Sequence, residues 1–128
     1  MEQPIVHLSD LRLRDVQLFE QRYTLALCVE NPNPRELPID GLSYRVLLNN
    51  VELGRGASRQ SVTIAPYGER IIEVDLVSNV FSLMQRVKDM VSGAAKGINV
   101  SITGNMSVAN QPSPMPFSFQ GEFGGGRT

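Results

Sequence analysis

Polar and apolar residues alternate along most of this chain, and the alternation breaks at prolines, glycines and asparagine pairs. The clearest run is Tyr23-Thr24-Leu25-Ala26-Leu27-Cys28-Val29-Glu30. Successive side chains of a strand point to opposite faces, so Tyr23, Leu25, Leu27 and Val29 share one face and Thr24, Ala26, Cys28 and Glu30 the other. Asn31-Pro32-Asn33-Pro34 then ends the strand. Neither proline can donate a ladder hydrogen bond, and each pushes the asparagine before it toward extended geometry. Upstream, residues 4–19 read as extended, with Val6 and Leu8 in one phase and Leu11 and Leu13 in the other. A β-bulge at Ser9-Asp10 reconciles the two phases.

Downstream, Asn31 to Asp40 carries Pro32, Pro34 and Pro38 and is expected to be loop. Leu42, Tyr44, Val46 and Leu48 then alternate, and Asn49-Asn50 suits a two-residue hairpin turn because asparagine tolerates positive φ. The return strand Val51-Glu52-Leu53 is expected to be short and to meet a bulge or corner at Gly54-Arg55-Gly56. Val62 and Ile64 mark another strand, Ala65-Pro66-Tyr67-Gly68 a turn, and Ile72, Val74 and Leu76 the inner face of a strand over 69–77. One stretch changes period. Val80, Leu83, Met84, Val87 and Val91 form a helical stripe, which places a helix at about 79–92. Ser78 or Asn79 serves as its N-cap, and Gly93 or Gly97 closes its far end. Ile98, Val100, Ile102, Met106 and Val108 restore the period of two, Pro112-Ser113-Pro114 is a turn, and Met115, Phe117, Phe119 and Phe123 give a last strand with an aromatic inner face. About seven short strands with regularly spaced turn signals predict a mainly β, antiparallel sandwich with one helix packed across an end or face. It spans residues 4–123 as one domain, with 124–128 as a flexible tail.

Composition narrows the function. A chain of 128 residues fits one core, and 12 basic against 13 acidic residues leave no global field to attract nucleic acid or acidic membrane. Tryptophan is absent and aromatics do not interleave with the basic residues, which argues against nucleic-acid binding. The single Cys28 excludes an internal disulfide or a multi-cysteine metal site, and its strand position suits a packed thiol. No run approaches the roughly 18 apolar residues of a membrane span. No signal sequence opens the chain. Two placements follow: the cytoplasm, or the periplasm or outer envelope as a lipoprotein if an upstream signal has been removed.

Catalytic candidates are few. His7 is the only histidine, with no serine or cysteine motif beside it, and Asp10, Asp15, Asp40, Glu73 and Asp75 are scattered singly. No calcium loop is present, and Gly54-x-Gly56 is too short to cradle a phosphate. The chain is therefore expected to be no enzyme, with no cofactor and no metal. Arg12, Arg14 and Arg22 could form a basic strip that Arg45 joins if the strands neighbour, though edge protection explains such charges equally well. Asn31 and Asn33 are expected to bond backbone groups that the prolines leave unpaired, and so to hold the loop in shape.

With the strands placed, a family pattern emerges. Leu25 to Asn33 resembles the signature strand and Asn-Pro-Asn corner of the WHy domain (water stress and hypersensitive response), which defines the type-2 late embryogenesis abundant proteins. Leu37-Pro38-Ile39-Asp40-Gly41-Leu42-Ser43-Tyr44, Leu53-Gly54-Arg55-Gly56, Ile64-Ala65-Pro66-Tyr67-Gly68 and Thr103-Gly104-Asn105 continue the resemblance in order. Its motif residues here are Asn31, Pro32, Asn33, Pro38, Gly41, Tyr44, Gly54, Gly56, Pro66 and Gly68. The resemblance implies a fibronectin type III or immunoglobulin-like sandwich and a non-enzymatic role in tolerance of drying, freezing or other water stress. Implied partners are client proteins or envelope components met as a monomer; the alternative is an envelope-anchored module that docks one specific partner.

Overall fold

The alternating apolar rows become the inner face of a curled antiparallel sheet. In the computed structural model, which describes residues 1–17, 19–79 and 98–123, the strands are β1 (Ile5–Gln17), β2 (Glu20–Glu30), β3 (Leu37–Leu48), β4 (Val51–Ser58), β5 (Val62–Ile64), β6 (Glu69–Ser78), β7 (Ile98–Val108) and β8 (Met115–Phe123). Their order across the sheet is β1-β2-β6-β4-β3-β7-β8, with β5 paired to the start of β3. Every pairing is antiparallel, and the sheet curls into a half-barrel that brings its outer strands β1 and β8 into contact.

Registers line the apolar residues up in rows that cross the strands. Leu8, Leu27 and Ile72 form one row, Leu11, Leu25 and Val74 the next, and both are buried. The other half contributes Val46 with Ile102 and Leu48 with Val100, and all these side chains join one core. Each such burial is worth about 1.5–3 kcal/mol, so the inner face carries most of the stabilisation. β2, which lies between β1 and β6, is buried on both faces: Thr24, Ala26 and Cys28 fall on the outside and are buried as well. Met115 and Phe117 are buried on the last strand, while Phe119 packs against the core only in part.

The Ser9 bulge lies where the phase change puts it, between Leu8 and Asp10, and a second shift falls between Leu13 and Asp15. Asn49 and Asn50 make the β3–β4 turn with φ of 47° and 67°, the left-handed pair such a turn requires. Two expectations need correction. Pro38 is not loop: it lies in β3 opposite Thr63 of the three-residue β5, and its carbonyl accepts from the Ala109 amide at 2.9 Å. A strand end beside a register shift is one of the places where the missing N–H is tolerated. Gly54-Arg55-Gly56 is not a corner: β4 runs through it to Ser58, and the bulge falls one residue earlier, at Leu53. The helix expected at about 79–92 lies, apart from Asn79, outside the described residues, as does the 124–128 tail; no helix occurs among the described residues.

Gly54 and Gly56 have a steric reason to be glycine. They flank Arg55, whose pairing with Val77 is the one register position joining β4 to β6. A Cβ on Gly54 would lie 2.6 Å from the Val77 carbonyl oxygen, and one on Gly56 would lie 2.8 Å from the Tyr44 ring. Tyr44 leans over Gly56 and donates its hydroxyl to the Asp75 carbonyl, so it bridges the join. Burial, then the Asp75 charge, pushes that hydroxyl's pKa up to about 12. Tyr23 is also buried, yet its hydroxyl finds no hydrogen-bond partner among the described residues. The two tyrosines should therefore respond oppositely to loss of oxygen. Tyr44→Phe is expected to cost about 1–3 kcal/mol by orphaning the Asp75 carbonyl, whereas Tyr23→Phe should be neutral or slightly stabilising. Urea unfolding of both variants measures the contrast.

Candidate functional site

The chain leaves β2 at Glu30, and the two prolines that stop the ladder leave the next backbone groups to find partners elsewhere. Asn31, with 1% exposure, supplies many of them. Its amide nitrogen donates to the carbonyls of Arg35 at 2.7 Å, Ala65 at 3.1 Å and Ile64 at 3.2 Å. Its side-chain oxygen accepts from the Asn33 backbone at 3.0 Å and the Asn33 side chain at 3.1 Å. Asn33 then binds Glu2 in two directions, accepting from its N–H at 2.7 Å and donating to its carbonyl at 2.9 Å, as a strand neighbour would. The main chain adds Asn31 N–H to the Gly68 carbonyl at 2.8 Å and Tyr67 N–H to the Asn33 carbonyl at 3.2 Å.

The corner thus joins four segments: the chain before β1, the exit of β2, the end of β5 and the entry to β6. Tyr67 sits in the adjoining turn with φ of 57°, a conformation glycine usually takes, and its side chain is 71% exposed. An open cleft of about 780 Å³ lies beside the corner, lined by Glu2, Asn33, Pro34, Arg35, Asn110 and Gln111 among others. Both buried amides are occupied by backbone, so the corner positions segments and presents no nucleophile or proton-transfer pair.

The other candidate chemistry is dispersed. His7 faces Glu30 at 3.7 Å on the outer face, an ion pair only when the imidazole is protonated. Cys28 is buried between the strand positions of His7 and Ile71, where burial and then the charges of Glu69 and Glu30 push its thiol pKa up. Among the described residues, no group of three or more histidine, cysteine or carboxylate side chains is arranged to hold a metal ion. The basic strip does not assemble. Arg12 pairs with Glu73 at 2.7 Å and with Asp10 at 3.4 Å, and Arg22 pairs with Glu20 at 3.0 Å. Arg45 lies in the other half of the sheet, directly opposite Arg55 of β4.

Like charges opposite one another destabilise a strand pair unless something neutralises them. Glu52 does so, accepting from Arg45 Nε at 2.6 Å and from Arg55 at 2.9 and 3.2 Å. The bulge at Leu53 makes this possible. Residues three apart on a regular strand face opposite ways, and the extra residue brings Glu52 and Arg55 to the same side. Sequence reasoning passed over both residues, and their one signal was the irregularity marked by Gly54.

The family of late embryogenesis abundant proteins (LEA_2) matches residues 26–121 of the sequence. The chain belongs to this family. Among solved structures, a protein of Arabidopsis thaliana is similar at 20% identity and a TM-score of 0.68, over 94% of this chain and 81% of that one. A protein from Archaeoglobus fulgidus is similar at 19% identity and 0.52, over 92% and 97%. A third, described as late embryogenesis abundant, is similar at 19% identity and 0.51, over 93% and 69%. At these identities the likeness is one of fold. No curated protein sequence matches the chain.

In this late embryogenesis abundant protein the residues on which the sequence resemblance rests gather in two places. Asn31, Pro32, Asn33, Pro66 and Gly68 build the corner, while Tyr44, Gly54 and Gly56 build the join of β4 with β6. Pro38 and Gly41 lie on β3 between them, either side of the register shift at Asp40.

Two outcomes are expected. Asn31→Ala strips partners from several carbonyls at once, so urea denaturation should show a loss of about 2–4 kcal/mol. Hydrogen bonds from Arg55 and Arg45 hold the Glu52 carboxyl at a pKa of about 2. A lowered folded-state pKa stabilises above the unfolded value of about 4.3 and loses that effect as pH falls through the folded one. Glu52→Gln should therefore be less stable than the parent at pH 7, and the two should converge as pH approaches 2. Because these side chains are exposed, added salt should also narrow the gap.

Proposed function

We propose that this chain is a non-enzymatic, stress-protective domain that shields other proteins or envelope components during drying, freezing or other water stress. The observation that carries the reading is membership of the late embryogenesis abundant family across most of the chain. We read residues 4–123 as its one domain and the two halves of the curled sheet as the layers of a fibronectin-type sandwich.

The outer face of β1, β2 and β6 supports a mechanism of many weak contacts. It carries Arg12 with Asp10 and Glu73, His7 with Glu30, and Thr24 donating to Asp75 at 3.3 Å, interspersed with exposed Ile5, Ile71 and Val77. Exposed ion pairs contribute only about 0–1 kcal/mol each, so they exchange partners at little cost. As water is withdrawn the effective dielectric falls and such contacts strengthen. Protection then needs no catalytic group and no cofactor.

The test is recovery of a labile enzyme, such as a lactate dehydrogenase, after freeze–thaw or drying with this domain present. Recovery should exceed that given by an equal mass of an inert globular protein. Equal recovery would overturn the reading.

A further inference from the structure

A groove of about 710 Å³ crosses the sheet over β4, β3, β7 and β8, and its wall contains Arg45 and Arg55. Its rim consists of two outward-facing rows. One runs Arg55, Arg45 and Thr103 across β4, β3 and β7, and the other runs Ala57, Ser43 and Asn105. Between them lies the row of Gly56, Tyr44, Gly104 and Phe117, whose two aromatic side chains are buried on the inner side, so backbone floors the groove. Gly104 belongs to this construction: a Cβ there would lie 1.9 Å from the Ser43 carbonyl oxygen and 2.9 Å from the Phe117 ring.

The charge at this wall is unbalanced. Each paired arginine of the other half, Arg12 or Arg22, has its own carboxylate, and Arg12 has two. Here two guanidinium groups share the single Glu52 carboxylate, in a chain with 12 basic and 13 acidic residues overall. Glu52 engages the Nε of both arginines and one terminal nitrogen of Arg55. Both terminal nitrogens of Arg45 and one of Arg55 have no acceptor among the described residues. The shared carboxylate holds the two guanidinium groups in place and leaves those donors for another acceptor.

We propose that this groove is an oxyanion site for a phosphate group, free or esterified. Arg45 and Arg55 supply forked donors that match the oxygens of a phosphate, and guanidinium prefers such planar, two-point recognition. The hydroxyls of Thr103 and Ser43 and the amide of Asn105 flank them on the same face, as donors to the remaining oxygens. The volume exceeds that of a bare phosphate, which leaves room for the organic part of a monoester or a lipid headgroup. The site does not depend on the protective role proposed above.

Amide shifts measured by NMR at low ionic strength test the assignment, with inorganic phosphate in one arm and phosphatidylglycerol vesicles in the other. Saturating shifts at Ser43, Arg45, Arg55, Thr103 and Asn105 are expected in at least one arm. Saturation by inorganic phosphate assigns a free phosphate, and saturation by vesicles alone assigns the headgroup. Arg45→Gln and Arg55→Gln should each weaken binding about tenfold, the effect of one charge-assisted hydrogen bond. Arg22→Gln, in the other half of the sheet, should leave binding unchanged. The site is refuted by absence of saturating shifts in both arms, or by undiminished binding in both groove arginine variants.

Discussion

The curled sheet depends on how closely β4 can approach β6, because the strands on either side of that join form two otherwise separate antiparallel sets. One set is β1, β2 and β6; the other is β4, β3, β7 and β8 with β5 beside them. A single paired position, Arg55 with Val77, connects them through hydrogen-bonded backbone. That approach leaves no room for a Cβ on either side of Arg55, and the Tyr44 hydroxyl spans the same join to reach Asp75. Without it, two short sheets would each expose an edge of unpaired N–H and C=O groups, the arrangement that invites aggregation. The contact between β1 and β8 on the far side then follows from the curl.

The two-asparagine corner is a second tie between the same two sets. Asn31 follows the last residue of β2, yet its amide bonds the carbonyls of Ile64 in β5 and Ala65 beyond it. A backbone strand could not do this, because Pro32 and Pro34 interrupt its donors. A short side-chain amide carries one acceptor and two donors, so it can serve several carbonyls that point in different directions. Buried and fully bonded, it contributes through what would be orphaned by its loss more than through any one bond.

Outside the core, the two faces use charge differently. On β1, β2 and β6 opposite charges neighbour one another in exposed pairs that cost little to rearrange, which suits shifting contacts with many surfaces. On β3 and β4 two arginines are held together by one carboxylate, which suits a defined acceptor. The two proposed roles, protection by diffuse contact and recognition of a phosphate, therefore fall on different surfaces of the same molecule.

Local pattern carried much of this fold. The alternation from Tyr23 to Val29, the phase change at Ser9 and the Asn49-Asn50 turn each depend on residues a few positions apart, and each lies where the pattern puts it. The ordered motifs from Leu25 to Asn105 likewise pointed to the family that the comparison shows. Pro38 was not legible as strand, because the strand that receives it, β5, is three residues long and lies more than twenty residues away. Nor could Gly54 and Gly56 be read correctly, since what requires them is a carbonyl on β6 and a ring on β3. The arginines tell the same story: Arg45 belongs with Arg55 and Glu52 because of a bulge and a register. The sequence by itself determined which residues face inward, where strands turn and what family they spell, because side-chain period and turn chemistry are local. Only the tertiary structure decided which strands meet, how near they come and which charges pair, because those depend on register between distant segments.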